Sequence, residues 1–146
     1  MLDLSKAFDT VNHSILLPNL SFYGIQKPHI DWFKSYLDKR KQRVFVNGNI
    51  SDPMPISSGV PQGSILGPLL FLIYINDFTQ SSHFFSMRLF ADDTSLTASA
   101  KNIDELLLKI NEELPNIHDW LCANKLTLNL RSKKDYRQLV GTLFRK

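Results

Sequence analysis

Two aspartates stand side by side at Asp92-Asp93, between Phe90-Ala91 and Thr94. Like charges repel at close range, and a cation between them relieves the repulsion. The competing explanation is a solvated turn, since Asp favours turns. Asp3 sits in an otherwise apolar segment, and Asp9 follows Ala7-Phe8. An acid inside a strand is unfavourable unless it is paired or bound to metal. Taken alone, Asp3 reads first as an edge or end-of-strand acid. If Asp3, Asp92 and Asp93 converge, they form a hard oxygen site suited to Mg²⁺ or Mn²⁺. Such a site takes one or two carboxylates plus substrate phosphates. It points to phosphoryl or nucleotidyl transfer by two ions spaced ~3.5–4 Å apart.

Gly59, Gly63 and Gly67, with Pro61 and Gln62, form a loop that enters an apolar segment. Glycines admit close approach of a backbone or a base, and amides at a helix start can face phosphate. No Gly-Lys-Ser/Thr follows, so this is not a P-loop, and a plain connecting loop is the alternative. His13, His29, His83 and His118 show no metal-ligand spacing, and Cys122 reads as a small core residue. One cysteine excludes both a disulfide framework and a thiolate zinc cluster.

The elements that must position these residues follow from pattern. Residues 1–4 read as the end of a strand. A helix is expected over residues 12–23 with Gly24 as its stop signal, and Pro28 opens a second helix with an Ile30, Phe33, Leu37 stripe. Val44 and Val46 run into Asn47-Gly48, a hairpin signal. Residues 51–63 hold three prolines and three serines and read as loop. Residues 66–78 predict a buried helix with Pro68 in its first turn. Residues 84–99 predict a hairpin with the acid pair at its tip. Asn102 and Glu105 make a capping box. Ile103, Leu107, Ile110, Leu114, Ile117 and Leu121 then form the strongest helical stripe in the chain, with a kink expected at Pro115. Leu126, Leu128 and Leu130 alternate as a last strand. The order is that of an α+β, ferredoxin-like split βαβ fold with a small inserted hairpin. In that arrangement the first strand lies beside the central hairpin, and Asp3 meets Asp92-Asp93.

With 146 residues, 43% of them apolar and 21% charged, the chain is one globular domain or a piece of one. The near-continuous apolar run 65–75 contains Gly67 and Pro68 and falls short of the ~20 residues of a membrane span. The start, MLDLSKAFD, is unlike a secretory signal, so an intracellular location, nucleus or cytoplasm, is expected. The Asn-X-Ser sequons at Asn12, Asn19 and Asn49 are then silent. Net charge is +3, but residues 131–146 carry six basic groups and one acid. The other 130 residues carry 11 basic and 13 acidic groups, a net −2. The basic character thus belongs to the tail. The only other cluster, Lys39, Arg40, Lys41 and Arg43, divides between a solvated helix end and phosphate contact.

LDLSKAFD at 2–9, GVPQGSILGPLLF at 59–71 and LFADD at 89–93 occur in that order. Together they resemble the successive palm motifs of reverse transcriptases. The connecting text, WFKSYL at 32–37, VNG at 46–48, LIYINDF at 72–78 and NKLTLN at 124–129, resembles jockey-type non-LTR retrotransposons. The resemblance covers residues 1–130, a polymerase palm, followed by a basic tail over 131–146 expected to be poorly ordered. It implies an RNA-directed DNA polymerase that joins a deoxynucleoside triphosphate to a primer 3′-hydroxyl on an RNA template. Two Mg²⁺ ions, or Mn²⁺, would be held by Asp3, Asp92 and Asp93, with Asp92 the closer ligand of the pair. Phe8 takes the place of the bulky residue that excludes a ribose 2′-hydroxyl. Gln62 and Gly63 take the place of the residues near nucleotide and template. Lys133 or Lys134 stands in for a lysine that helps protonate pyrophosphate, where the family reads close to LNxSKT and this chain reads LNLRSKK. The resemblance also implies that fingers before the first motif and a thumb after the last strand belong to a longer parent polyprotein. Three readings therefore stand: a polymerase palm, a catalytically silent element-derived fragment acting as an interaction module, and another two-metal enzyme such as a nuclease. The last explains the acids but neither Phe8 nor Pro61-Gln62-Gly63.

Overall fold

The computed structural model of the chain describes residues 2–129. In chain order its elements are β1 (Leu2–Asp3), α1 (Ala7–Thr10), α2 (His13–Phe22), α3 (His29–Leu37), β2 (Lys41–Gln42), β3 (Phe45–Val46), β4 (Asn49–Ile50), β5 (Met54–Pro55), α4 (Leu66–Ile75), a 3₁₀ turn (Asn76–Gln80), β6 (Ser86–Phe90), β7 (Asp93–Thr97) and α5 (Ile103–Ala123). This is an α+β chain with antiparallel sheets. It divides into two compact units, one drawn from the first seven residues and those from Ile75 onward, the other from Phe8–Tyr74. No helix among the described residues is long and apolar enough to cross a membrane.

The first unit is built on a sheet of order β1-β7-β6. Burial alternates along β6 and β7 as the pleat requires. Leu2 and Thr94, paired across the strands, are buried, while Phe90 and Asp93, also paired, are exposed. The β6–β7 turn is only Ala91-Asp92, and Ala91 takes φ +51 to close it. Of the last strand expected at residues 126–130, the described residues show one bridge, Leu4 to Leu128, on the free edge of β1. Backbone bonds from Ser5 N to Thr127 O (2.7 Å) and from Asn129 N to Asp3 O (2.8 Å) hold it there.

Helix α5 begins as its sequence dictates. Asn102 Oδ1 accepts from Glu105 N at 2.8 Å, and Glu105 closes an ion pair with Lys109 at 2.9 Å one turn on. The reciprocal half of the capping box is displaced, since Glu105 Oε2 accepts from Lys101 N at 3.4 Å. The helix continues through Pro115. Of its apolar stripe, the C-terminal Ile117 and Leu121 are buried, while Ile103 and Leu107 are exposed. Cys122 is also exposed rather than in the core, because it follows the inward-facing Leu121 and turns to the side of His118, 3.5 Å from Nε2.

The second unit packs α2 against α3 and closes on Val11, Leu16, Leu20, Leu37, Val60, Leu70, Phe71 and Tyr74. Asn12 caps α2 through Ser14 N, and Gly24 at φ +90 follows its end. Asn47 and Gly48, both at positive φ, form the two-residue turn between β3 and β4 that their types call for. Residues 51–63 are not wholly loop, since Met54–Pro55 pairs with Lys41–Gln42. A two-residue strand with both partners at an edge tolerates the missing amide of Pro55. Lys41 therefore lies in a strand rather than at a helix end. Helix α4 is shorter and less buried than its composition predicts. It stops at Ile75, and Leu69 and Leu72 are exposed while Leu70, Phe71 and Tyr74 are fully enclosed.

Candidate active site

Asp3 and Asp93 are direct cross-strand partners in the β1–β7 register. Opposed residues on neighbouring strands project to one face with side chains ~4.5–5.5 Å apart at Cβ, and like charges there are destabilising. The row continues with Phe90, the partner of Asp93 on the other side. Asn129 completes it, its Nδ2 donating to Asp3 Oδ2 at 3.1 Å. That bond orients the Asp3 carboxylate. Asp92 stands one residue before Asp93, in the turn, and is half-buried. The register thus brings together two of the three expected acids and sets the third beside them. It does not close a three-ligand cage: among the described residues no group of three or more His, Cys, Asp or Glu is placed to hold a metal ion. The donor set still fits a hard cation. Mg²⁺ takes one or two carboxylates and completes its shell with water and substrate phosphate. An opposed pair of carboxylates is the arrangement that such an ion stabilises.

Phe8, Gln62 and Gly63 belong to the second unit. Phe8 is half-buried, with its ring 4.8 Å from that of Phe71. Its carbonyl accepts from Val60 N at 2.8 Å. Gln62 is exposed and its Nε2 donates to Asp9 Oδ1 at 2.7 Å. Gly63 is exposed at φ +80 with open space where a side chain would stand. The loop that carries these residues is more than a connector. A Cβ on Gly59 would lie 2.8 Å from the carbonyl oxygen and 2.9 Å from the Cα of Asp9, and Gly59 has φ +84 besides. A Cβ on Gly67 would lie 2.8 Å from the Pro61 carbonyl oxygen. Two of the three glycines therefore serve close backbone approach. His13 Nε2 contacts Gly59 O at 2.8 Å, and Tyr74 Oη accepts from Asn12 N at 3.4 Å. Burial pushes the Tyr74 phenol pKa up, and the Asn12 amide offsets part of that.

Sequence reasoning assigns no site role to Asp9, His13 or Tyr74, whose contacts only the fold reveals. Asp9 carried a signal, an acid directly after a motif aromatic. Its partner lies 53 positions away, which no local pattern reports. Lys133 and Lys134, Leu130 and the whole tail 131–146 lie outside the described residues.

Comparison with known proteins adds an independent line. The reverse transcriptase (RNA-dependent DNA polymerase) family matches residues 1–134. The probable RNA-directed DNA polymerase from transposon BS of Drosophila melanogaster is 32% identical over 82% of this chain and 14% of its own length. Its counterpart from transposon X-element of the same organism is 32% identical over 91% of this chain and 15% of its own. The RNA-directed DNA polymerase from mobile element jockey, again of Drosophila melanogaster, is 31% identical over 82% and 14%. The chain thus spans about a seventh of the length of these relatives. Because the family match runs through both units and across all three motif segments, the chain belongs to the reverse transcriptase (RNA-dependent DNA polymerase) family.

Proposed function

We propose that this chain is the palm portion of an RNA-directed DNA polymerase of a mobile element, acting on a primer, an RNA template and deoxynucleoside triphosphates. The observation that carries the reading is the opposition of Asp3 and Asp93 at the end of a two-residue-turn hairpin. The strand order supports a split βαβ, ferredoxin-like palm: the bridge at Leu128, then β1, β7 and β6, all antiparallel.

Asp3 and Asp93, with Asp92 beside them, would hold Mg²⁺ or Mn²⁺. When bound, two such ions lower the pKa of an attacking hydroxyl and neutralise charge on the leaving group. The protein's own part is positional. The sheet holds the acids on rigid strands, and Asn129 fixes one Asp3 oxygen. Phe8 is held by Phe71 and by the bond to Val60, and is suited to stand as the steric limit against a ribose 2′-hydroxyl. Gln62 and Gly63 present an exposed polar turn to nucleotide and template.

Mn²⁺ titration of the purified chain, followed by electron paramagnetic resonance, tests the ion site. Saturable binding that Asp3→Ala and Asp93→Ala each weaken at least tenfold is expected. Binding indifferent to both changes would sink the two-metal reading. Primer extension on poly(rA) with oligo(dT), by a longer parent protein containing these residues, should vanish with Asp92→Ala.

A further inference from the structure

We infer that Asp9 is a positioning residue that locks the side-chain amide of Gln62 in one orientation, with its carbonyl oxygen turned outward for a donor on the bound nucleotide. The inference rests on the reading of Gln62 as a nucleotide-facing residue. Asp9 Oδ1 accepts from Gln62 Nε2 at 2.7 Å. A bond between two exposed side chains ordinarily contributes little, because water competes and both chains must be ordered. Here the ordering is done by the backbone. Gly59 N donates to Val11 O at 2.8 Å, Val60 N to Phe8 O at 2.8 Å, and Ser58 Oγ to Asp9 O at 3.1 Å. Gly59 lies flush on the Asp9 backbone, with no room for a Cβ. The loop is therefore zipped to α1 on both sides of Asp9 before the side chains meet.

The chemistry of the partners then sets the direction. A carboxylate only accepts, while an amide has one donating and one accepting end. Gln62 must give its NH₂ to Asp9, and its Oε1 is left to face away. Among the described residues no other hydrogen bond engages Gln62. Its carbonyl oxygen and second N–H are available as a fixed pattern, acceptor and donor, for a sugar hydroxyl or a base amine.

Asp9→Asn is the discriminating change. It keeps shape and a bond to Gln62, but an amide satisfies either flip of its partner, so the orientation is lost while the contact remains. The side-chain amide of Gln62 in the ¹⁵N-labelled chain should show a shift and slowed exchange that Asp9→Asn moves toward free-amide values, with melting temperature unchanged. Apparent affinity for dATP with Mg²⁺ should fall about three- to tenfold. In a Gln62→Ala background the Asp9 change should add nothing further. A free-like Gln62 amide in the unaltered chain overturns the inference. So does an affinity loss that persists in the Gln62→Ala background, or no loss at all. If the unaltered chain binds no dATP, the nucleotide role of Gln62 fails, and Asp9 as the residue that orients the amide stands or falls on the spectrum.

Discussion

Phe8 shows how one side chain serves packing and, on the proposed function, chemistry. Its contact with Phe71 and its half-burial give it a structural share, so truncation has a stability cost independent of any steric role. The two are separable. Phe8→Val keeps a branched apolar group, and in an active parent enzyme it should raise ribonucleotide incorporation relative to deoxyribonucleotide. Unchanged sugar discrimination with lowered stability would assign Phe8 to the core alone. Gly59 and Gly63 offer an internal control on the neighbouring loop. Both have positive φ, which costs an L side chain ~1–2 kcal/mol. Gly59 also meets the Asp9 backbone, where overpacking adds ~1–3 kcal/mol, whereas Gly63 faces open space. Gly59→Ala should therefore destabilise by about 2–4 kcal/mol in urea unfolding and Gly63→Ala by clearly less. Equal losses would mean that conformation, not contact, sets the cost. Sequence alone named Gly59 as a residue allowing close approach, but what it approaches is Asp9, 50 positions earlier, and that required the fold.

Elements with local causes were the ones that could be read in advance. Asn47-Gly48 made its turn, Asn102 capped α5, Gly24 followed the end of α2, and Asp92 fell in the hairpin turn with Asp93 opening β7. Their determinants lie within four residues of one another. Burial was read less well, and for a physical reason. Periodicity says which face of a helix is apolar; it does not say whether anything covers that face. Ile103 and Leu107 in α5, and Leu69 and Leu72 in α4, are apolar yet exposed. Within α4 the enclosed side is specific enough to titrate. Burial raises the Tyr74 pKa above its ordinary 10.0, so the folded state favours the neutral phenol. Its contribution is intact below pH 10 and is lost as pH climbs from there through the folded value. Urea unfolding at pH 9 and pH 11 should show a drop in stability that is smaller in Tyr74→Phe. An equal drop in both proteins would place the phenol in contact with water.

The charge of the molecule is distributed against the substrate proposed for it. A polyanionic template requires cationic contacts, and affinity grows with the number of phosphates neutralised. Residues 1–130 carry a net −2, and the excess of positive charge lies in 131–146. Among the described residues, the acids at β1 and β7 also do not form a closed metal cage. On the proposed function, ions held there would be completed by substrate, and the acids alone do not keep primer and template in place. Positioning of reactants is worth ~7–11 kcal/mol of a barrier, far more than one strand pair supplies. The 146 residues by themselves are therefore expected to show no efficient primer extension, even with Mg²⁺ and all three acids in place. Their exposed apolar side chains, among them Phe45, Val46, Ile50 and Met54 on the β-ribbons and Ile65 before α4, should instead drive association. Sedimentation across a concentration series should show a rising mean mass, which lower salt does not abolish. Processive extension by a purified monomer, lost on Asp92→Ala, would overturn this expectation and make the carboxylates and the Gln62 loop a sufficient polymerase.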